Sequence, residues 1–218
     1  MKKRYILLPV ILVLLLAAIP LADRFLHFLP RKTYIGADFD IPRYLSAVDR
    51  DGDGIDDQSD IYAATLAYLA TEPKYKSKYY PDIGYPDDEY GVCTDVVAFA
   101  LRDAGYDLRE LVDADIPAAP EAYPTIEKAD KDIDFRRVRN LAVYFERHFE
   151  SLTTDLNDIR AWQPGDVVIF PKHIGIVSEK RDSKGRPYLL HLASPVQVTY
   201  EAPLTAYEGS ISAHYRIS

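Results

Sequence analysis

The sequence holds a single cysteine, and that scarcity excludes a fold stapled by internal disulfides. It has no repeat of fixed period and no low-complexity tract, which removes solenoid and propeller readings. No wall-binding repeat is visible. Basic residues are scarce beyond the N-terminus. Residues 1–33 hold six Lys or Arg and one Asp, leaving 20 basic against 33 acidic residues over 34–218, a net of −13. A body of that charge is a poor binder of nucleic acid or of anionic polymers. What remains is a globular composition, 48% hydrophobic, and a length of 218 residues that predicts one domain after an N-terminal segment.

That segment begins Met1-Lys2-Lys3-Arg4 and continues as an apolar run from Tyr5 to Ala22, interrupted only by Pro9 and Pro20. A run of about 18 residues suffices to span a bilayer. No cysteine follows it, which excludes a lipoprotein anchor, and no Ala-x-Ala cleavage pattern ends it. Residues 1–22 are therefore read as an uncleaved transmembrane anchor. A signal peptide, with secretion after cleavage, is the alternative. The Lys-Lys-Arg cluster predicts a cytoplasmic N-terminus and an extracellular C-terminal domain held at the cell membrane. Residues 23–48 read as a juxtamembrane linker.

Residues 49–60 fit the calcium-loop template of an EF-hand. Asp49, Asp51, Asp53, Asp57 and Asp60 fall at loop positions 1, 3, 5, 9 and 12. Gly54 takes the position of the sharp turn, and Ile55 offers its backbone carbonyl at position 7. Calcium needs six to eight oxygens, and alternating carboxylates turn toward one centre. Asp60 replaces the usual glutamate, and the entering helix is short. The role implied is structural: calcium staples the N-terminal arm to the domain. No organic cofactor is expected. An apolar helix is predicted from Ser59 to Thr71.

The lone cysteine opens a helical stripe. Small and apolar residues recur at 93, 97, 100 and 104, with 96 and 101 beside them. Gly91 suits a loop before this helix and Gly105 a cap after it. Cys93 then sits in the first turn, where the helix dipole and free N–H groups favour the thiolate and can hold an oxyanion. A buried core thiol is the plain alternative. Asp95, in the same turn, caps the helix or holds a substrate amine. The Tyr- and Pro-rich stretch Lys74–Glu89 reads as a long ordered loop. Tyr85 and Tyr90 are candidates to line a substrate cleft, against ordinary aromatic packing. Arg136, Arg137 and Arg139 form the solvated or salt-bridged face of an amphipathic helix that ends at His148, a helix cap.

Two histidines follow on a hairpin. Trp162-Gln163-Pro164-Gly165-Asp166 is a turn, Val167–Phe170 a buried strand, and His173–Ser178 and Tyr188–Ala193 the two arms around a charged loop. Centring the hairpin on Asp182 sets His173 opposite His191, with Gly175 leaving room beside His173. Cys93, His173 and His191 thus qualify as nucleophile, base and orienting group.

These residues resemble the papain-like cell-wall peptidase superfamily of the NlpC type, which joins a helix-start cysteine to a His-Ile-Gly-Ile strand and a polar third residue. More closely, Gly91-Val92-Cys93-Thr94-Asp95-Val96-Val97, Asp134-x-Arg136-Arg137-Val138-x-Asn140-Leu141, His173-Ile174-Gly175-Ile176-Val177-Ser178 and His214-Tyr215-Arg216 resemble a bacterial domain-of-unknown-function family, number 1287. The nucleophile motif departs from the superfamily's Asp-Cys-Ser-Gly. The resemblance implies an α+β catalytic domain over 61–218, helices packed on a small antiparallel sheet, outside a cell of Gram-positive type. The substrate class it implies is a peptidoglycan stem peptide. The expected function is a cysteine peptidase or amidase. A thiol acyltransferase and a catalytically silent, calcium-stabilised binding domain are the alternatives.

Overall fold

The computed structural model describes residues 11–14, 16–20, 22–23 and 32–217. Those described before residue 24 are helical, and among the described residues no helix is long and apolar enough to cross a membrane. The rest of the expected anchor and the first part of the linker lie outside the described residues.

Among the described residues after residue 31, four α-helices and a six-stranded antiparallel sheet make an α+β fold. Helix α1 spans Asp57–Ala70 and α2 spans Cys93–Asp103. Helix α3 spans Leu108–Ala118 and α4 spans Val138–His148. The predicted stripe of α2 is fully inside: Val96, Val97, Ala100, Leu101 and Ala104 are all buried. Each such side chain contributes roughly 1.5–3 kcal/mol if large, less for alanine. Gly105 ends the helix at φ +82°, a conformation that a residue with Cβ resists. Helix α3 carries Pro117 in its last turn.

The sheet is built from β3 (Glu150–Ser151), β4 (Val167–Phe170), β5 (His173–Arg181), β6 (Pro187–Leu190), β7 (Glu201–Pro203) and β8 (Ala213–Arg216), in the order β3-β8-β4-β5-β6-β7. Its central strands are covered on both faces, which is why their sequence is continuously apolar rather than alternating. Val167, Ile169, Ile174, Ile176 and Leu190 join the helical core. Val168, Phe170, Val177 and Leu189 turn to the other face, where they meet Trp162, Leu156 and Leu204. The loop expected over Lys74–Glu89 starts as a strand, β1 (Lys74–Tyr75), which pairs in parallel with β2 (Tyr90–Gly91).

The β5–β6 register differs from the expected one. Ile176 pairs with Leu190 and Val177 with Leu189, two residues from the expected register, while Arg181 meets Pro187, four residues from it, and a bulge between Val177 and Arg181 makes up the difference. Continued upward, that register sets His191 diagonal to His173 rather than opposite. The space beside Gly175 is filled as well: a Cβ there would stand 2.8 Å from the Leu190 carbonyl and 2.9 Å from Leu189 Cδ1.

One carboxylate at the start of β4 ties three segments together. Asp166 is fully buried. It accepts from Arg216 Nε at 2.9 Å and Nη2 at 2.8 Å, from Gln58 Nε2 at 3.0 Å and from the Gln163 N–H at 2.7 Å. His214 Nε2 lies 3.0 Å away. The other His214 nitrogen is 2.8 Å from the Thr153 carbonyl, so both ring nitrogens face oxygen atoms. The ring stacks flat on Trp162, 3.9 Å between centroids. Gly165 sits at φ +95°, with Gln58 O only 2.7 Å from where a Cβ would be.

Removing one partner of a buried charge cluster leaves the others uncompensated. Asp166→Ala should lower the unfolding free energy in urea by about 3–5 kcal/mol. A loss within about 1 kcal/mol would mean that Arg216 and His214 are neutralised by something else.

Candidate functional site

Cys93 is the first residue of α2, as its sequence predicts, and lies almost entirely inside. Its surroundings reverse the expected charge state. Burial pushes the thiol up to about 11, and the Asp95 charge adds to the rise. The N–H groups of Ile174, Thr94 and Cys93 itself act the other way, without overcoming the desolvation. The helix start therefore does not make a resting thiolate here.

Asp95 is the cap and not a substrate contact. Its Oδ2 accepts the Val92 N–H at 2.8 Å, and both oxygens bind Arg136, at 2.6 and 2.8 Å. Both side chains of this ion pair are sealed from solvent. A carboxylate in the first helical turn complements free N–H groups, and arginine completes its valence in two parallel bonds. Arg136 therefore takes the salt-bridged of its two expected roles. Thr94 reaches the same segment, its hydroxyl donating to the Arg136 carbonyl at 3.1 Å.

The two histidines meet. His173 Nε2 and His191 Nδ1 are 2.8 Å apart, with their rings edge to face at 5.0 Å. His191 is buried and fixed at both backbone ends: its N–H donates to the Tyr200 carbonyl and its carbonyl accepts from Gln197 Nε2. Tyr207 packs edge-on against it. Burial holds His173 down to about 4, so its ring is neutral at physiological pH. Its Nδ1 has no hydrogen-bond partner among the described residues.

The Cys93 sulfur lies against the N–H of Ile174, the residue after His173. Strand alternation divides those two residues: Ile174 packs with Cys93 in the helical core, while the His173 ring lies by Phe170, which belongs to the other face of the sheet. No hydrogen bond joins the thiol to His173 among the described residues. The thiol and the His173 imidazole are both neutral, and the imidazole is oriented by a second one.

The tyrosines divide. Tyr85 is a core residue: its hydroxyl donates to Asp107 at 2.7 Å and its ring packs on Phe99 and Phe135. It lines no cleft, because Asp107 at the start of α3 satisfies its only polar atom. Tyr90, on β2, stays half-buried with Lys76 and Lys78 over its ring at 4.8 and 5.1 Å. Tyr75 was not singled out from the sequence. The parallel pairing of β1 with β2 brings it to the cysteine, and burial raises its hydroxyl pKa, with Cys93 acting in the same direction. No sequence pattern marks a two-residue parallel bridge. Tyr68 also points here. Its buried hydroxyl has no partner among the described residues, and it stands 2.3 Å from where a Cβ on Gly91 would be. Gly91 is required by that approach, two residues before the cysteine.

The acidic loop keeps most of its expected ligands. Oxygens of Asp49, Asp51 and Asp53 lie within 4.8 Å of one another, all exposed. Asp49 accepts the N–H groups of Gly52 and Gly54, which shapes the turn. The Ile55 N–H donates to Asp53 Oδ1 at 2.8 Å. Asp60 has one buried, unpartnered oxygen. Burial and the charges of Asp53, Asp51 and Asp49 push its carboxyl up to about 6. Asp60 thus feels the three clustered carboxylates without being one of the group that they form. Asp57 does not fit as a direct ligand. It is buried, accepts from the Arg50 N–H at 2.8 Å and from the Tyr106 hydroxyl, and so joins the loop to the end of α2.

Fold and site together define a mixed helix-and-sheet domain with a buried helix-start cysteine and a histidine pair. The chain belongs to the domain-of-unknown-function family DUF1287, whose model matches residues 62–217. The match takes in Cys93, His173 and His191 and leaves the loop 49–60 outside. The chain is similar to the uncharacterised protein YijF of Escherichia coli (strain K12), 37% identical over 136 residues. That alignment covers 59% of this chain and 64% of YijF, under two thirds of the relative's length. No solved structure matches the chain.

Because the folded state prefers neutral His173, its contribution to stability is complete above the ordinary histidine pKa of 6.5 and is lost as pH falls toward about 4. His173→Asn should flatten the wild-type loss of urea stability between those pH values by about 2–3 kcal/mol. Parallel curves for the two proteins would show that the ring is not desolvated.

Proposed function

We propose that the protein is an extracytoplasmic thiol hydrolase that cuts an amide bond in peptidoglycan stem peptides through an acyl-enzyme. The observation that supports this most is the 2.8 Å bond from His173 Nε2 to His191 Nδ1, which leaves His173 Nδ1 as the nitrogen able to take a proton. The NlpC-type likeness of the motifs around Cys93 and His173 supports a papain-like arrangement. Since the resting groups are neutral, Cys93 acts by general-base catalysis rather than as a preformed thiolate. Substrate closes the remaining gap between sulfur and ring, a tightening that free enzymes commonly leave to the complex. The Sγ proton passes to His173 Nδ1 as sulfur bonds to the carbonyl carbon. The N–H groups at the start of α2 receive the oxyanion. The C–N bond then breaks, His173 returns the proton to the leaving amine, and water hydrolyses the thioester to regenerate the thiol. His191 fixes the base ring, as the third member of a triad does.

The same acyl-enzyme serves acyl transfer if an amine replaces water. A catalytically silent binding domain is a second reading, and the raised thiol pKa is what favours it. The first 22 residues act in this proposal as the membrane anchor, with the domain outside the cell. The similarity to an Escherichia coli protein extends the family beyond walls of the Gram-positive type. Calcium acts as a structural ion at Asp49, Asp51, Asp53 and Asp60, with the Ile55 carbonyl as a further ligand.

Digestion of peptidoglycan followed by mass spectrometry of the fragments tests the activity. Cys93→Ala should abolish fragment release, at least about a thousandfold, while circular dichroism stays unchanged. Undiminished release by that variant excludes the covalent route, and no release by the wild type supports the silent domain. For the metal, calcium should raise the melting temperature of the wild type, chelator should reverse it, and Asp51→Asn should lose most of the gain. An identical melting temperature with and without chelator would remove calcium from the account.

A further inference from the structure

The short parallel pair ahead of Cys93 leaves one strand edge open. β1 commits the N–H groups of Lys74 and Lys76 to the Glu89 and Gly91 carbonyls, at 2.7 and 3.0 Å. The main-chain groups of successive strand residues point to opposite sides, so the N–H and C=O of Tyr75, between those two lysines, both face away from β2. No other strand pairs with β1 among the described residues. Tyr75 is half-buried, and Lys74 and Lys76 on either side of it are exposed. The outer edge already receives one hydrogen bond, from the Tyr200 hydroxyl to the Pro73 carbonyl at 3.1 Å.

The edge lies at the cysteine rather than elsewhere on the surface. Tyr75 and Tyr200 both pack against the core cluster that contains Cys93. Tyr75 stands opposite Gly91, two residues before the thiol, and its hydroxyl feels Cys93 electrostatically. An N–H and a C=O presented by one residue on one side make half of a hydrogen-bonded antiparallel pair, and an extended peptide main chain completes both bonds at once.

The charges along the edge narrow the choice of peptide. Lys74 is paired with Glu89 and Lys78 with Asp88. Lys76 between them has the Tyr90 ring 4.8 Å from its ammonium and no carboxylate partner among the described residues. In antiparallel pairing the residue across from Lys76 is the one just before the residue across from Tyr75.

We propose that the free edge of β1 binds an extended peptide through two main-chain bonds to Tyr75, with an acidic residue one position earlier set against Lys76. The inference rests on the peptide-cutting reading for its role, but the contact itself needs no reaction at Cys93.

Fluorescence anisotropy with the full-chain Cys93→Ala variant separates binding from turnover. The probe is a dye-labelled, end-capped Ala-Ala-Glu-Ala-Ala peptide. It should bind saturably and about threefold more tightly than its glutamine counterpart, a difference that Lys76→Gln should remove. N-methylation of the alanine after the glutamate deletes the donor to the Tyr75 carbonyl and should weaken binding about tenfold. Tyr75→Ala and Tyr75→Pro both lose the side chain, but only proline loses the outward N–H, which no bond to β2 uses. The proline variant should bind about tenfold more weakly than the alanine variant. Circular dichroism checks the fold of both, and the N-methylated peptide tests the same pairing on an unaltered β1. No saturable binding overturns the proposal, even where the wild type digests peptidoglycan. Binding with the expected losses upholds it, even where the wild type digests nothing. Equal affinity for the plain and N-methylated peptides overturns the main-chain pairing, and equal affinity for the glutamate and glutamine peptides overturns the contact with Lys76. A dimer that Tyr75→Pro dissolves, with no peptide bound, assigns the edge to a second copy and overturns the proposal as well.

Discussion

The carboxylate of Asp166 is the constraint from which the arrangement of the sheet follows. It occupies the last position of a tight turn, directly before β4. It gathers Gln58 from the start of α1 with His214 and Arg216 from β8. An unpaired carboxylate at that depth would be prohibitive, so the three segments are obliged to meet there. Once β4 is anchored, its antiparallel pairing fixes β5, with Phe170 opposite His173. The position of His173 is therefore set by an ion cluster on a neighbouring strand. The glycine at φ +95° beside the aspartate is part of the same device: any side chain there would strike the α1 backbone.

Charge is distributed unevenly through this molecule, and the unevenness separates structure from chemistry. The buried ionised groups, Asp95 with Arg136 and Asp166 with Arg216, are matched in two-pronged bonds. Cys93 and His173 are desolvated without such partners, which drives the thiol upward and the imidazole downward toward neutrality. Two neutral groups in a dry interior place no ionic demand on the fold. The pairing of His173 with His191 then matters, because an imidazole already held at one nitrogen has one orientation left for the other.

Much of this was readable from the residues, for identifiable reasons. The α2 stripe and its glycine cap were plain because period and punctuation agree with what tertiary packing rewards. The unbroken Val167–Phe170 run reported a strand covered on both faces. The histidine pair was legible as proximity but not as register. The turn is centred two residues later than expected, with Arg181 opposite Pro187, and the bulge between Val177 and Arg181 recovers only part of that shift; nothing in the loop 179–186 announces either. The partnership of Asp95 with Arg136 joins residues 41 apart through a turn ahead of α4. Local sequence shows each charge and not their meeting. Tyr75 was hidden for a similar reason, since a parallel pairing of two residues leaves no periodicity. Its neighbour Tyr85 looked equally available, and only Asp107 decided that it belongs to the core.

The acidic loop shows how one residue type takes opposite roles within a dozen positions. Asp49, Asp51 and Asp53 stay in solvent and fold the backbone over themselves by accepting the N–H groups of Gly52, Asp53 and Ile55. Asp57, four residues on, turns inward and holds the Tyr106 hydroxyl, while Arg50 donates to the Gly105 carbonyl at 2.9 Å. Both of those partners lie just past the end of α2. The loop is thereby stitched to the helix that begins with Cys93, whether or not an ion fills its centre. A cation would relieve the mutual repulsion of Asp60 with its neighbours and tighten a junction already made by hydrogen bonds. The mechanical consequence is that the helix presenting the thiol is braced at both ends. Asp95 and Arg136 hold its start, and the acidic loop holds its finish, so the sulfur's position answers to elements on either side of it.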